Sequence, residues 1–291
     1  MGLSVNTNIA AMNAYRNLSV SQGQMNSSLE KLSSGFRINR AADDAAGLSI
    51  SEGLRSQIGG LKVAVRNAQD GVNVAQTADG ALNESTAILQ RMRDLAVQAS
   101  NGGSQDANAQ AAADAEFQQL NKELDRIANT TSFGNQKLLD KTYNGVFQVG
   151  ANNTTNDQIT VTLDATAFGT YTPKGAAVAA TGFDSAGLGT SSMKLDNVGD
   201  AQTAIDQVDS AITGVSNARA TIGAIQNRFQ HTINNLNVSV ENLSASESAI
   251  RDTDMAAEMS NFTKSQILQQ AGTAMLAQAN SSQQSILKLL Q

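Results

Sequence analysis

Cysteine and tryptophan are absent from this 291-residue chain, which has one proline, Pro173, and one histidine, His231. Without cysteine there is no thiolate nucleophile and no Cys/His zinc site, and a Ser-His-Asp triad would have to be built on the single histidine. Aromatic residues make up only 4% of the chain, so a globule of large buried side chains is disfavoured. Helix-on-helix packing through Ala, Leu, Ile and Val fits better. No stretch is apolar for eighteen residues, which excludes a membrane-spanning helix. The opening MGLSVNTNIAAMNAY lacks a positive n-region followed by an apolar h-region, so no cleaved signal peptide is expected. A net charge of −6 with no basic stripe argues against binding nucleic acid through phosphate neutralisation.

What the chain does have is heptad spacing. Met25, Leu29, Leu32 and Phe36 follow one another in steps of 4, 3 and 4, and Val5, Ile9 and Met12 show the same pattern upstream, with a gap at Gln22. A turn at Ser33-Ser34-Gly35 ends this segment, and a short polar link feeds a second one. There Leu54, Ile58, Leu61, Val65, Ala68, Val72, Ala75, Ala78, Leu82, Thr86, Leu89, Met92 and Ala96 predict a helix over about residues 45 to 98, roughly 80 Å long. Gly102-Gly103 stops it. A shorter amphipathic helix carries Phe117, Leu120, Leu124 and Ile127 and ends at TTSFGN, Thr130 to Asn135. On the C-terminal side, Ile205, Val208, Ile212, Val215, Ile222, Ile225, Phe229, Ile233, Leu236, Val240 and Leu243 repeat the steps over a comparable length, so the two long helices are expected to pack side by side. Between them, NGVFQVG (Asn144 to Gly150) and QITVTLD (Gln158 to Asp164) read as a β-hairpin. Residues 165–193, rich in Gly, Ala, Thr and Ser, read as a loop or weak β insert at the far tip. A terminal amphipathic segment runs from Met255 through Met259, Phe262, Leu268, Met275, Leu276, Ile286, Leu287 and Leu290 and is expected to pair with residues 1–33. Each terminal helix has a narrow apolar stripe and no domain of its own to bury it, so the ends should order mainly on assembly.

Candidate chemistry is sparse. Asp43-Asp44 precedes a predicted helix, where carboxylates accept free amides and complement the dipole, so capping outweighs a metal or acid/base role. His231 reads as packing or surface. Gly47, Gly53, Gly59, Gly60, Gly71 and Gly80 each cost up to about 1 kcal/mol of helix propensity, and close approach of packed helices is the expected compensation. No Gly-rich phosphate loop follows a strand and there is no HExxH motif, so no catalytic residue, cofactor or metal site is assigned.

Four motifs, SSGFRINRAADDAAG (Ser33 to Gly47), RNAQDGVNVAQTADGALNE (Arg66 to Glu84), LQRMRDLAVQASNG (Leu89 to Gly102) and LAQAN (Leu276 to Asn280), resemble bacterial flagellins in the same order. The resemblance covers about residues 1–140 and 200–291. It implies a mainly α fold, a long antiparallel helical coiled-coil bundle with a small β-hairpin at the outer tip. An inner coiled-coil domain would come from residues 1–44 and 252–291, an outer helical domain with the hairpin from 45–164 and 194–251, and a short variable insert from 165–193. The implied function is structural: polymerisation into the hollow helical filament of the bacterial flagellum, for swimming motility. A hook-filament junction protein, similar at both ends but built as an adaptor, is the alternative, and an enzyme with helical arms is disfavoured by the missing catalytic residues.

On this resemblance the self-assembly seam would use Leu29, Leu32, Phe36, Met259, Phe262, Leu268, Met275 and Leu287. Implied partners are further copies in a helical homopolymer, a flagellin export chaperone on the C-terminal helix, the filament cap and hook-junction proteins, and a vertebrate toll-like receptor. No nucleic acid and no membrane span are expected. By position the receptor contact would fall on Arg91, Leu95 and Glu116, with Asp94 where enteric flagellins commonly have Glu. The implied location is the extracellular filament, reached through the flagellar type III system without a cleaved signal.

Overall fold

The computed structural model describes residues 8–103, 106–163 and 182–289, the stretch from 283 onward by its backbone alone. Five helices dominate: α1 (Ile9–Ser34), α2 (Ala45–Ala99), α3 (Ala107–Thr130), α4 (Val198–Arg251) and α5 (Met255–Leu289). One rule sets all five starts: an Asn or Asp side chain accepts an amide that the first turn leaves unpaired. Asn8 accepts from Ala11 N at 2.9 Å, Asp44 from Gly47 N at 2.8 Å and Asp106 from Ala109 N at 2.7 Å. Asn197 accepts from Asp200 N at 2.9 Å, and Asp254 from Ala256 N at 2.9 Å. Asp44 is therefore the cap expected from the sequence. Its neighbour Asp43 instead closes the preceding turn by accepting from Asn39 N and Arg40 N, and the Arg40 amide, then that of Asn39, holds its carboxyl below the usual range. Gly35 ends α1 at φ +75°, the left-handed cap that glycine adopts without penalty, and donates to Lys31 O at 2.8 Å.

The chain divides into two compact units, residues 1–57 with 241–291 and residues 58–240, with α2 and α4 contributing to both. In the second unit α2 and α4 run antiparallel. Arg93 pairs with Asp209 at 2.6 Å and Arg219 with Asp79 at 2.8 Å, so residue numbers along one helix rise as those along the other fall. Helix α3 folds back on α2, where Gln110 Nε2 donates to Ala99 O at 3.1 Å. The core between them holds Val72, Leu82, Leu89 and Met92 of α2, Phe117 and Leu124 of α3, and Val208, Val215, Ile222 and Phe229 of α4. Most α2 heptad positions expected from the sequence are buried; Leu54, Val65 and Thr86 are half-buried, and Ala64, Val74, Leu95 and Ala99 are buried beside them. On α4, Ala204, Ala211 and Ala218 share the buried stripe with Val208, Val215, Ile222 and Phe229, while Ile205, Ile212 and Ile225 are half-buried.

The hairpin is present: β3 (Asn144–Gln148) pairs antiparallel with β4 (Gln158–Thr162), Gly145 opposite Val161 and Phe147 opposite Ile159. It lies against α2 and α4. Asn67 Nδ2 donates to Gln148 O at 3.0 Å, and the Phe147 and Phe229 rings meet edge to face at 5.4 Å between centroids. A second, two-residue hairpin, β1 (Ser132–Phe133) with β2 (Gln136–Lys137), turns at Gly134, φ +58°. Two residues per strand are too few to show alternation, so in the sequence TTSFGN shows only a helix stop.

Of the segment read as an insert, residues 165–181 lie outside the described residues. Residues 182–193 are irregular, as expected, but they are fastened to the helices rather than free of them. Phe183 and Leu188 are buried in the core, Ser185 N donates to Asp125 at 2.8 Å, Thr190 Oγ1 donates to Asn121 at 2.7 Å, and Gln207 Nε2 donates to Leu188 O at 3.0 Å. Side chains of α3 and α4 thus satisfy the loop's backbone in place of a sheet ladder.

Candidate functional site

Helices α1 and α5 pack antiparallel and leave many large apolar side chains uncovered. Their contact face mixes small polar and large apolar residues: Ser21, Ser28 and Ser265 are buried, Leu18, Met25, Leu32, Phe262 and Leu276 are half-buried, and Gly272 sits where a Cβ would come within 3.3 Å of Leu18. The Gln269 amide donates to Gln22 Oε1, and Asn8 Nδ2 donates to Ala279 O at 3.1 Å. The interruption at Gln22 in the α1 heptads is therefore a cross-helix hydrogen bond. A second set of large apolar residues is exposed: Ile9, Met12, Tyr15, Val20 and Leu29 on α1, and Met255, Met259, Ile267, Leu268 and Met275 on α5. Met259, Ile267 and Leu268 share a surface groove with Thr263 and Lys264. Full burial of one Leu or Met side chain contributes about 1.5–3 kcal/mol, and this pair of helices leaves that contribution unused at each exposed position.

Of the eight expected seam residues, Leu29, Met259, Leu268 and Met275 belong to this outward set, and Leu32 and Phe262 are half-buried. The side chain of Leu287 lies outside the described residues. Phe36 has a separate environment. It sits in a joint where residues 35–37 run antiparallel to 251–253, with Arg37 N donating to Arg251 O at 2.7 Å and Thr253 N to Gly35 O at 2.9 Å. The Arg251 guanidinium lies 4.7 Å from the Phe36 ring centroid and 2.7 Å from Glu52 Oε1. Beside them Arg37 Nη2 donates to Ile250 O at 2.6 Å, and Ile38 is buried. Apolar spacing carries no trace of Arg251, whose partners Glu52 and Phe36 are 199 and 215 residues distant in the chain. The one available signal was the pair of polar links, Phe36 to Arg40 and Asp252 to Asp254, each between two helices.

In the second unit Arg91 and Glu116 come together at 2.7 Å, both side chains about half exposed. Leu95 does not join them at the surface: it is 3% exposed and packs in the core. Four residues of spacing places two side chains on neighbouring turns, but here the α2 face turns inward between them. His231 is exposed. Among the described residues no three His, Cys, Asp or Glu side chains converge as a metal site, and no helix is long and apolar enough to cross a membrane.

Family models described as the bacterial flagellin N-terminal helical region and the bacterial flagellin C-terminal helical region match residues 5–144 and 205–290. The chain belongs to the bacterial flagellin family. It is 49% identical to a flagellin of Halalkalibacterium halodurans, over 98% of this chain and 99% of that one. It is 48% identical to a flagellin of Bacillus subtilis, over 99% and 100% of the two chains. A crystal structure of Bacillus cereus flagellin is 32% identical and matches 59% of this chain and 88% of that one, with a TM-score of 0.47. Flagellins are structural proteins rather than enzymes, and this one is a subunit of the flagellar filament that polymerises with copies of itself. Nothing favours the hook-junction alternative.

Proposed function

We propose that polymerisation is carried by the outward apolar faces of α1 and α5, within an inner domain of residues 1–44 and 252–291. Residues 45–164 and 194–251 form the outer helical domain, and 165–193 a short insert. The observation that carries this reading is the exposed apolar set on the two helices: Leu29, Met259, Leu268 and Met275 remain exposed although α1 and α5 pack together. A contact that covers those side chains on one subunit with a different face of the next is heterologous, and a heterologous contact whose rotation does not close propagates as an open helix. The same exposed C-terminal face is the handle for an export chaperone, for passage through the type III channel without a cleaved signal, and cap and hook-junction proteins take up the two filament ends. Truncation tests the division. Deleting residues 1–40 or 252–291 leaves a soluble, folded middle that forms no filaments by negative-stain microscopy, and the second deletion also ends chaperone binding. Filaments from either truncated protein would refute the assignment.

The receptor reading narrows to Arg91 and Glu116. Their exposed ion pair offers a charged surface for a vertebrate toll-like receptor, and the burial of Leu95 supports a packing role for that residue.

A further inference from the structure

The described methionines fall into an exposed group and a packed group, with Met25, half-buried on α1, between them. Met12, Met255, Met259 and Met275 are 59%, 49%, 50% and 64% exposed, and all four lie on α1 or α5. Met92, in the core of the second unit, is 0% exposed, and Met193 packs against that core. The antiparallel register of α1 and α5, with Asn8 bonded to Ala279 and Leu18 against Gly272, brings Met12 and Met275 to the same level of the helix pair. Met259 lines the groove with Ile267 and Leu268. A thioether in solvent is open to two-electron oxidation, whereas a packed one is screened by its neighbours.

We propose that Met12, Met255, Met259 and Met275 are the sites at which peroxide disables the unassembled subunit, and that assembly protects them. The inference rests on the outward-seam reading above. In the reaction a sulfur lone pair attacks one peroxide oxygen, the O–O bond breaks, the thioether becomes a sulfoxide and water leaves, so peroxide is reduced by the two electrons that sulfur gives up. The product is polar and chiral where the seam requires an apolar, adaptable side chain. Because no described core position of the second unit presents an open thioether, oxidation ends polymerisation without unfolding that unit. The damage is reversible in kind, since methionine sulfoxide reductases return sulfoxide to thioether.

The test uses the full chain, as monomer and as filament, with hydrogen peroxide as oxidant. Peptide mass mapping of the monomer should show these four positions oxidised about tenfold faster or more than Met92. The oxidised monomer should fail to sediment as polymer, keep the thermal transition of the second unit, and regain polymerisation after treatment with sulfoxide reductases. Intact filaments should resist oxidation at the same positions. A variant carrying Met12→Leu, Met255→Leu, Met259→Leu and Met275→Leu, compared before and after peroxide, should keep its polymerisation. Normal polymerisation of wild type fully oxidised at the four positions would overturn the proposal, as would equal oxidation rates in filament and monomer, or loss of polymerisation by the treated variant. The underlying seam reading is checked separately, without oxidant, by Leu268→Asp. A seam that tolerates that charge fails on its own account, and a seam that rejects it while tolerating four sulfoxides isolates the failure to the present inference.

Discussion

Two glycines on α2 illustrate how one chemical change has opposite signs in different surroundings. A Cβ at Gly71 would stand 2.5 Å from the Phe229 ring, which is itself buried and braced by Phe147. A Cβ at Gly80 meets nothing within 4 Å. Gly71→Ala therefore gains up to about 1 kcal/mol of helix propensity but must displace a packed ring at about 1–3 kcal/mol, a net loss. Gly80→Ala keeps only the gain, up to about 1 kcal/mol. Urea unfolding of the monomer checks both, and equal shifts in the same direction would contradict the packing account. Close approach thus explains Gly71, and Gly60 against Ala151, but not Gly53, Gly59 or Gly80, which the sequence grouped with them because a spacing pattern does not report what lies across a helix. Arg91 and Leu95 separate in a comparable way. Arg91→Ala removes an exposed group and should weaken receptor activation by the monomer by about 2 kcal/mol or more with little change in melting. Leu95→Ala opens a cavity and should destabilise the fold by about 2–5 kcal/mol. A reporter-cell assay paired with a thermal melt distinguishes the roles, and an Arg91→Ala monomer of unchanged potency would sink the contact.

Among the elements, the long helices were the most readable in the sequence, because Leu54 to Ala96 and Val208 to Leu236 keep one apolar stripe over many turns and because Asp44 and Gly35 mark a start and a stop. The β3–β4 hairpin was readable from the alternation of Ile159, Val161 and Leu163. Three features were hidden. The β1–β2 turn is too short for a period, the loop at 182–193 is ordered by side chains from α3 and α4 rather than by its own pattern, and the α1–α5 contact uses serines and a glycine that a hydrophobic reading passes over. The joint at Phe36 and Arg251 was hidden too, since it depends on residues from opposite chain ends. Its guanidinium both stacks on a ring and bridges to a carboxylate, a combination typically contributing about 0.5–2 kcal/mol through the ring contact. Arg251→Ala should therefore speed amide exchange at Arg37 and Thr253, whose N–H groups cross the joint, while leaving amides in the core of α3 unchanged. Unchanged exchange at Arg37 and Thr253 would show that the backbone bonds hold the joint without the side chain.

For the whole molecule, the contrast between the two units carries the functional argument. Among the described residues, most large apolar side chains of residues 58–240 are buried within the subunit, with Val63, Val97, Phe133, Val146 and Val238 as exposed exceptions, whereas α1 and α5 leave ten of theirs exposed. The fold of the second unit can therefore survive changes that stop assembly. The most direct measurement is polymerisation of Leu268→Asp, followed by sedimentation and negative-stain microscopy beside a thermal melt of the monomer. Leu268 is 43% exposed in the subunit, so the charge remains solvated there and the melt should match wild type. In the assembled seam the same charge must be desolvated, at a cost of several kcal/mol per subunit, and filaments should not form. Wild-type filaments from a normally folded Leu268→Asp subunit would contradict the claim that the outward face of α5 is the assembly surface.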